Sequence, residues 1–350
     1  MGETMIFRQF AASRIRALGA TLAAALFSAS LLTSTAAHAD EPLRIREGWV
    51  SMTNVLSPLV FQNTAVMKHY GKSYVVEPLR FNGTSPELQA IAANEVEIIT
   101  SGFSTFAAAI INANLDLRIV ADGFQDGAHG YLSSPYMVRN DSEISKVEDL
   151  KGKVLANNSI GGTLDVALRV MLRKHGLEDR RDYTVVEAAF PNMNAMLLEK
   201  KVDLVADSPP FTYDPKLAAD AHVLFRMDDA VGPSQMTLLA MREGFLKQHR
   251  VAVMDFFEDM LRGERWFLDP ANRETALAIV ANATKQPIER LQYLYTKDDY
   301  YHDPDAKPNL AALQHDMKTQ IDLGFLKKEI VVKDYTDLSF IEEAARRIKQ

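Results

Sequence analysis

Apolar positions recur along this chain in two rhythms, every second residue over short stretches and every third or fourth between them. These are the patterns of alternating strands and helices. Leu43, Ile45 and Trp49 mark a first strand, and Asn54 is placed to cap a helix carrying Leu56, Leu59, Val60, Val66 and Met67 that ends near Gly71. Val75 to Phe81 predicts the second strand. Asn82-Gly83-Thr84 then turns the chain, Ser85 stands where a helix cap belongs, and Pro86 suits a first helical position. Val96 to Thr100 reads as the third strand, the helix after Ser101 carries Phe106, Ile110 and Ile111, and Leu117 to Ala121 is the fourth strand. Such an order predicts a largely parallel sheet with right-handed crossovers.

Tyr131 to Arg139 reads as an extended segment leading out of this first lobe. Beyond it, a short helix ends at Gly152, a strand runs from Val154 to Ala156, and a polar turn, Asn157 to Thr163, opens a helix carrying Val166, Leu168, Val170 and Leu172. Tyr183 to Glu187, Val202 to Ala206 and Val223 to Phe225 are the further strands of a second lobe, and Thr237 to Met241 returns to the first. From Gly244 onward the pattern is helical, with breaks near Pro270, Pro287 and Asp303-Pro304-Asp305, and these helices are expected around the first lobe. The predicted division is residues 40–132 and 233–350 for one α/β lobe and 133–232 for the other. Crossings near 128–138 and 228–238 would act as a hinge.

An internal repeat supports two similar lobes. Leu88 to Phe103 and Asn194 to Pro209 each run from an amphipathic helix through a polar turn into an apolar strand. At a constant offset of 106 residues, Ile91 matches Leu197, Val96 matches Val202, Glu97 matches Asp203 and Ile98 matches Leu204. Glu97 and Asp203 invite a reading as paired catalytic carboxylates. Their place at strand starts puts them opposite the end where open α/β sheets bind ligands, so they are expected to stabilise turns.

Composition narrows the setting. Arg8, Arg14 and Arg16 precede an apolar stretch from Ala17 to Leu32, and Ala37-His38-Ala39 supplies a small-x-small pattern, so residues 1–39 read as a signal peptide cleaved after Ala39. The chain has no cysteine, which excludes disulfides, a thiol nucleophile and a lipid-bearing cysteine. An exported chain with no anchor fits a periplasm. Cleavage would leave about 311 residues and shift the formal charge from -7 to -9, because three arginines and one glutamate depart. Such a charge argues against nucleic acid and anionic membranes as partners. No Gly-x-Ser-x-Gly elbow, phosphate loop or His-Glu-x-x-His helix occurs, and the Tyr300-Tyr301-His302-Asp303 cluster reads as a loop between helices. No cofactor is expected.

The leader, the strand-loop-helix of Leu43 to Tyr70, the cassette Asn94-Glu95-Val96-Glu97, the run Glu148-Asp149-Leu150-Lys151-Gly152-Lys153, the Ser159 to Thr163 turn, and Lys201-Val202-Asp203 leading to Ser208-Pro209-Pro210 occur in a characteristic order. Together they resemble the nitrate/taurine/sulfonate-type (NMT1/THI5-like) periplasmic solute-binding proteins of ABC importers. In the first cassette Asn94 stands where glycine is common and Glu97 where aspartate is common. The resemblance implies a type II periplasmic-binding-protein fold whose lobes close on a small molecule, an absence of enzymatic activity, and a monomer that docks on a membrane permease with its ATPase.

The resemblance also implies five ligand-touching loops, each after a strand and before a helix. They supply Ser51, Met52, Thr53 and Asn54; Asn82, Gly83 and Thr84; Ser101, Gly102 and Phe103; Ser159, Gly161, Gly162 and Thr163; and Asp207, Ser208, Pro209 and Phe211. Their hydroxyls offer donors and their glycines allow close backbone approach, although capping and turn geometry also account for each residue singly. Phe103, Phe211, Tyr213 and Trp49 are placed to stack on a ligand or to fill the core. Arg80 and Arg139 are the nearest guanidinium candidates for pairing an anion. The expected ligand is a small organic anion, a carboxylate or sulfonate, with an aromatic body as an option. The alternatives are a same-fold enzyme of pyrimidine-precursor synthesis or the futalosine pathway, and a binding protein that feeds a sensor.

Overall fold

Among the described residues, ten strands divide between two five-stranded sheets, and the chain crosses between them twice. The structure is a computed structural model that describes residues 41–50, 53–81 and 84–349. The expected signal peptide therefore lies outside the described residues, as do Ser51, Met52, Asn82 and Gly83 among the predicted ligand residues.

The first sheet holds β1 (Leu43–Trp49), β2 (Tyr74–Arg80), β3 (Ile98–Ser101), β4 (Leu117–Asp126) and β10 (Ser234–Arg242), in the order β2-β1-β3-β10-β4. The second holds β5 (Pro135–Arg139), β6 (Val154–Asn157), β7 (Thr184–Glu187), β8 (Leu204–Ala206) and β9 (Ala221–Arg226), in the order β7-β6-β8-β5-β9. The two orders are equivalent. In each sheet four strands run the same way, and the strand that follows a crossing runs antiparallel between its neighbours: β10 between β3 and β4, and β5 between β8 and β9. The return strand expected at Thr237 to Met241 is the core of β10.

The helices are α1 (Ser57–Val60), α2 (Thr84–Ala92), α3 (Phe103–Ala113), α4 (Thr163–Lys174), α5 (Phe190–Leu198), α6 (Pro215–Asp220), α7 (Met227–Val231), α8 (Glu243–Gln248), α9 (Arg250–Leu268), α10 (Arg273–Thr284), α11 (Leu310–Asp322) and α12 (Ser339–Ile348). One face of the first sheet packs through Ile45, Val120 and Met241 against Phe257, Met260 and Ile341 of α9 and α12. The other face packs through Ile99 and Ile119 against Phe106 of α3 and Leu313 of α11. The late helices thus surround the first sheet, as their apolar pattern predicts. In the second sheet, Leu155 and Leu204 meet Leu168 of α4, while Val205 and Ala156 meet Met193 of α5.

One expected helix is broken. Between Asn54 and Gly71 the chain forms only α1 and a 3₁₀ turn, Thr64–Val66. Asn54 does not cap it; its side chain is spent on the opposite sheet's loop, as described below. Pro58 at the start of α1 and the polar Gln62-Asn63-Thr64 run leave too few residues for a continuous amphipathic face.

Candidate ligand cavity between the sheets

The carboxyl ends of β1 and β3 in the first sheet face those of β6 and β8 in the second across a cavity of about 130 Å³. From the first sheet it is lined by Val50, Asn54, Thr100 and Gly102, and from the second by Ser159, Gly162, Thr163, Ser208, Pro209 and Phe211. Eight of the predicted ligand residues converge here: Asn54, Gly102, Ser159, Gly162, Thr163, Ser208, Pro209 and Phe211. The walls come close together. A Cβ placed on Gly102 would lie 3.3 Å from Thr163 Oγ1, and Asn54 Nδ2 donates across the gap to Pro209 O at 3.0 Å and to Ser208 Oγ at 3.3 Å.

Two glycine-capped helices begin at this cavity. Gly102 is the N-cap of α3 and Gly162 the N-cap of α4, both with extended backbone, and a glycine cap brings no side chain to occupy the first-turn N–H groups. Ser104, Thr105, Thr163 and Leu164 from those first turns line the cavity. Two positive helix ends therefore meet in one small space. The Asn157–Gly162 loop itself offers fewer donors than its composition suggests. The Asn158 N–H donates to Asn157 Oδ1, that of Ile160 to Glu187, that of Gly161 to Asp165 and that of Gly162 to Ser159 O.

Several predicted residues stand apart from the cavity. Phe103 is buried among Ile99, Phe106 and Ile110, Ser101 turns its hydroxyl onto Gly102 O, and Thr53 donates to Asn54 Oδ1. Gly161 faces Phe325 instead. Asp207 lies fully buried beneath the loop, where one oxygen accepts the Ser208 N–H at 2.8 Å; burial pushes its carboxyl up to about 7, against that hydrogen bond. Thr84 opens α2. Trp49 is buried, and Tyr213 stacks on Tyr293 while donating to Asp298 O.

Neither arginine candidate lines the cavity. Arg80 ends β2 in an exposed position, and Arg139 is held by Leu197 O, Val202 O and Asp141. Among the described residues, all the lining side chains are neutral. Three rings complete the wall: Phe190 and Phe211, stacked 5.8 Å apart, and Phe124 of β4. Phe124 of β4, Met236 of β10 and Phe190 at the start of α5 escaped the sequence reading, because nothing local separates an apolar residue facing a cleft from one facing a core.

The matched carboxylates of the repeat do the same structural work. Glu97 accepts the Arg46 N–H at 2.7 Å, and Asp203 accepts the Val154 N–H at 3.0 Å, so each pins its strand to the neighbouring one. Among the described residues, no cluster of three His, Asp or Glu side chains is placed to hold a metal, and no helix is long and apolar enough to cross a membrane.

The paired sheets, the two crossings and the cavity at the strand ends define a periplasmic-binding-protein fold. Among solved structures, the chain is similar to the periplasmic nitrate-binding protein NrtA from Synechocystis PCC 6803, with TM-score 0.71 at 14% identity over 88% of this chain and 90% of that one. It is also similar to the alkanesulfonate-binding protein SsuA from Xanthomonas axonopodis pv. citri bound to MOPS (TM-score 0.67, 17% identity, 85% and 99% covered). The desulfurization enzyme DSZB shares the fold as well (TM-score 0.65, 12% identity, 87% and 99% covered). Comparison with curated protein sequences finds no match. The sequence model of the NMT1-like family matches residues 38–281, and the chain belongs to that family.

Proposed function

We propose that this chain is the solute-binding component of an ABC importer, and that it captures a small organic anion, a carboxylate or sulfonate, in the cavity between its sheets. One observation carries the reading: two glycine-capped helix starts, α3 and α4, meet at the same cavity from opposite sheets. Their partial positive charges suit an anion without any formal cation, and backbone dipoles of this kind need no reorganisation on binding. Phe124, Phe190 and Phe211 favour an apolar or aromatic body on the same molecule.

Residues 40–132 with 233–350 form one lobe in this reading and 133–232 the other, hinged at the two crossings. The leader is cleaved after Ala39, and the protein works in the periplasm as a monomer that delivers its ligand to a permease and ATPase. Binding rather than catalysis is favoured because, among the described residues, no Asp, Glu, His, Lys or Arg lines the cavity, so none of these is poised there for proton transfer. The test is calorimetry against small aliphatic and aromatic carboxylates and sulfonates, with nitrate and taurine included. Micromolar binding of an acid, recovered unchanged afterwards, is expected. Binding confined to neutral or cationic compounds would overturn the anion assignment, and chemical conversion of the bound acid would move the protein to the enzymes.

A further inference from the structure

A chain of buried hydroxyls runs from the cavity to the first crossing. Ser208 Oγ lies 2.9 Å from the Tyr300 hydroxyl, which lies 2.8 Å from Ser134 Oγ. Ser134 Oγ in turn contacts Asp126 Oδ2 at 2.5 Å. Asp126 ends β4, Ser134 sits on the crossing to β5, and Tyr300 belongs to the late loop packed beneath, its ring stacked on Phe124 at 4.5 Å. All four residues are buried.

The direction of every hydrogen bond in this chain follows from its far end. Asp126 accepts from Ser133 Oγ at 2.7 Å and from the Ser134 N–H at 2.8 Å, and burial pushes its carboxyl up to about 6, which leaves it ionised at pH 7.5. An ionised carboxylate has no proton to give, so Ser134 Oγ–H points at Asp126. Ser134 can then only accept from Tyr300, and Tyr300, its proton spent, accepts from Ser208. The Asn54 amide is fixed in orientation, because its Nδ2 also donates to Pro209 O; it fills one lone pair of Ser208 Oγ. What remains on Ser208 for the cavity is one lone pair.

We propose that Tyr300 is a positioning residue that relays hydrogen-bond direction from Asp126 to Ser208, so that Ser208 meets the ligand only as an acceptor. Resting on the organic-anion reading, this narrows the ligand class to acids that carry a hydroxyl, ammonium or N–H at the end facing Ser208. A partner without a donor would leave two lone pairs in contact, and such unpaired polar groups give strong discrimination.

Two measurements decide it. Neutron diffraction from deuterium-exchanged crystals at pH 7.5 should place the Ser208 deuteron towards Tyr300, that of Tyr300 towards Ser134, and that of Ser134 towards Asp126. A Ser208 deuteron pointing into the cavity overturns the relay. Calorimetry then compares matched acids: 4-hydroxybenzoate with 4-fluorobenzoate, and 2-hydroxyethanesulfonate with propanesulfonate. The donor-bearing member should bind at least about tenfold tighter to the wild type, the scale of one well-made buried hydrogen bond. Tyr300→Phe and Asp126→Asn should shrink that ratio to within about threefold while affinity for the donor-free member holds. Equal wild-type affinities within a pair overturn the specificity assignment. If neither member of any pair binds, the organic-anion reading fails, and the neutron map still decides the relay.

Discussion

At Glu47 a carboxyl lies fully buried on β1, where the effect of burial outweighs that of the neighbouring Ser57 hydroxyl. Burial pushes its ionisation up to about 8, far above the ordinary glutamate range. The native state therefore holds a proton that the unfolded chain has released, over the window from about pH 4.5 to about pH 8. With more protons bound in the native state than in the unfolded one, stability is full below the unfolded value and falls as pH rises through the native one. Glu87, also pushed up to about 8 by burial, acts with the same sign. Glu47→Gln replaces the neutral acid by a neutral isostere. Denaturant unfolding should show the variant level with the wild type near pH 5 and more stable by about 2–4 kcal/mol at pH 8.5. A constant difference across that range would mean that Glu47 is ionised in the folded protein.

At the scale of elements, local pattern carried much of the fold. The 106-residue repeat survives in backbone detail: Asn94 and Lys200, one offset apart, both close their helices at φ 61°. Glu97 and Asp203 then make equivalent backbone contacts. The helix expected after Asn54 failed because a long-range partner, the Ser208-Pro209 loop, claimed the side chain that the local pattern assigned to a cap. Tyr300 was legible only as part of a loop, since its role depends on Asp126, Ser134 and Ser208, which no spacing in the sequence relates.

Contacts of the α11 end across to α4 were equally hidden. Phe325 packs where Gly161 leaves room, 3.3 Å from the position a Cβ would take, and carries the Arg169 guanidinium over its ring at 5.3 Å. Arg169 is fixed by Asp165 at 2.8 Å and Asp179 at 2.7 Å, and Arg173 donates to Asp322 O at 3.1 Å. This strap ties a first-sheet helix to the loop that opens α4. Phe325→Ala removes the ring and about 1–2 kcal/mol of packing and cation–π attraction. Affinity for the cavity ligand, measured by calorimetry, should fall about 5- to 30-fold with the folded content unchanged. Unaltered affinity would show that the strap takes no part in holding the sheets together.

Over the whole molecule, the contacts between the two sheets' sides include the hydrogen bonds of Asn54 to the Ser208-Pro209 loop, of Ser208 with Tyr300 and of Tyr213 to Asp298 O, with the Tyr213–Tyr293 ring contact and the strap beside them. Hydrogen bonds that water can replace contribute only about 0.5–1.5 kcal/mol each, so they offset little of the freedom gained by opening, and the ligand-free protein is expected to be mostly open. A ligand that touches both helix starts gains contacts only when they are close, and its differential affinity sets the shift in population. Moving a two-state equilibrium from mostly open to mostly closed takes about 5 kcal/mol of differential binding, within reach of a small acid bound at micromolar strength. Small-angle scattering should therefore give a larger radius of gyration for ligand-free protein than for this structure, and a decrease to the structure's value on saturation. With two crossings rather than one, the proposed closure would be a rotation about a fixed line, so the change should leave each sheet's own packing intact. Amide exchange in β1, β3, β6 and β8 should accordingly stay slow in both states, while that at Gly102 and Thr163 slows when ligand is present. Identical scattering with and without a saturating ligand would rule closure out and leave a rigid pocket that its ligand enters without moving the sheets.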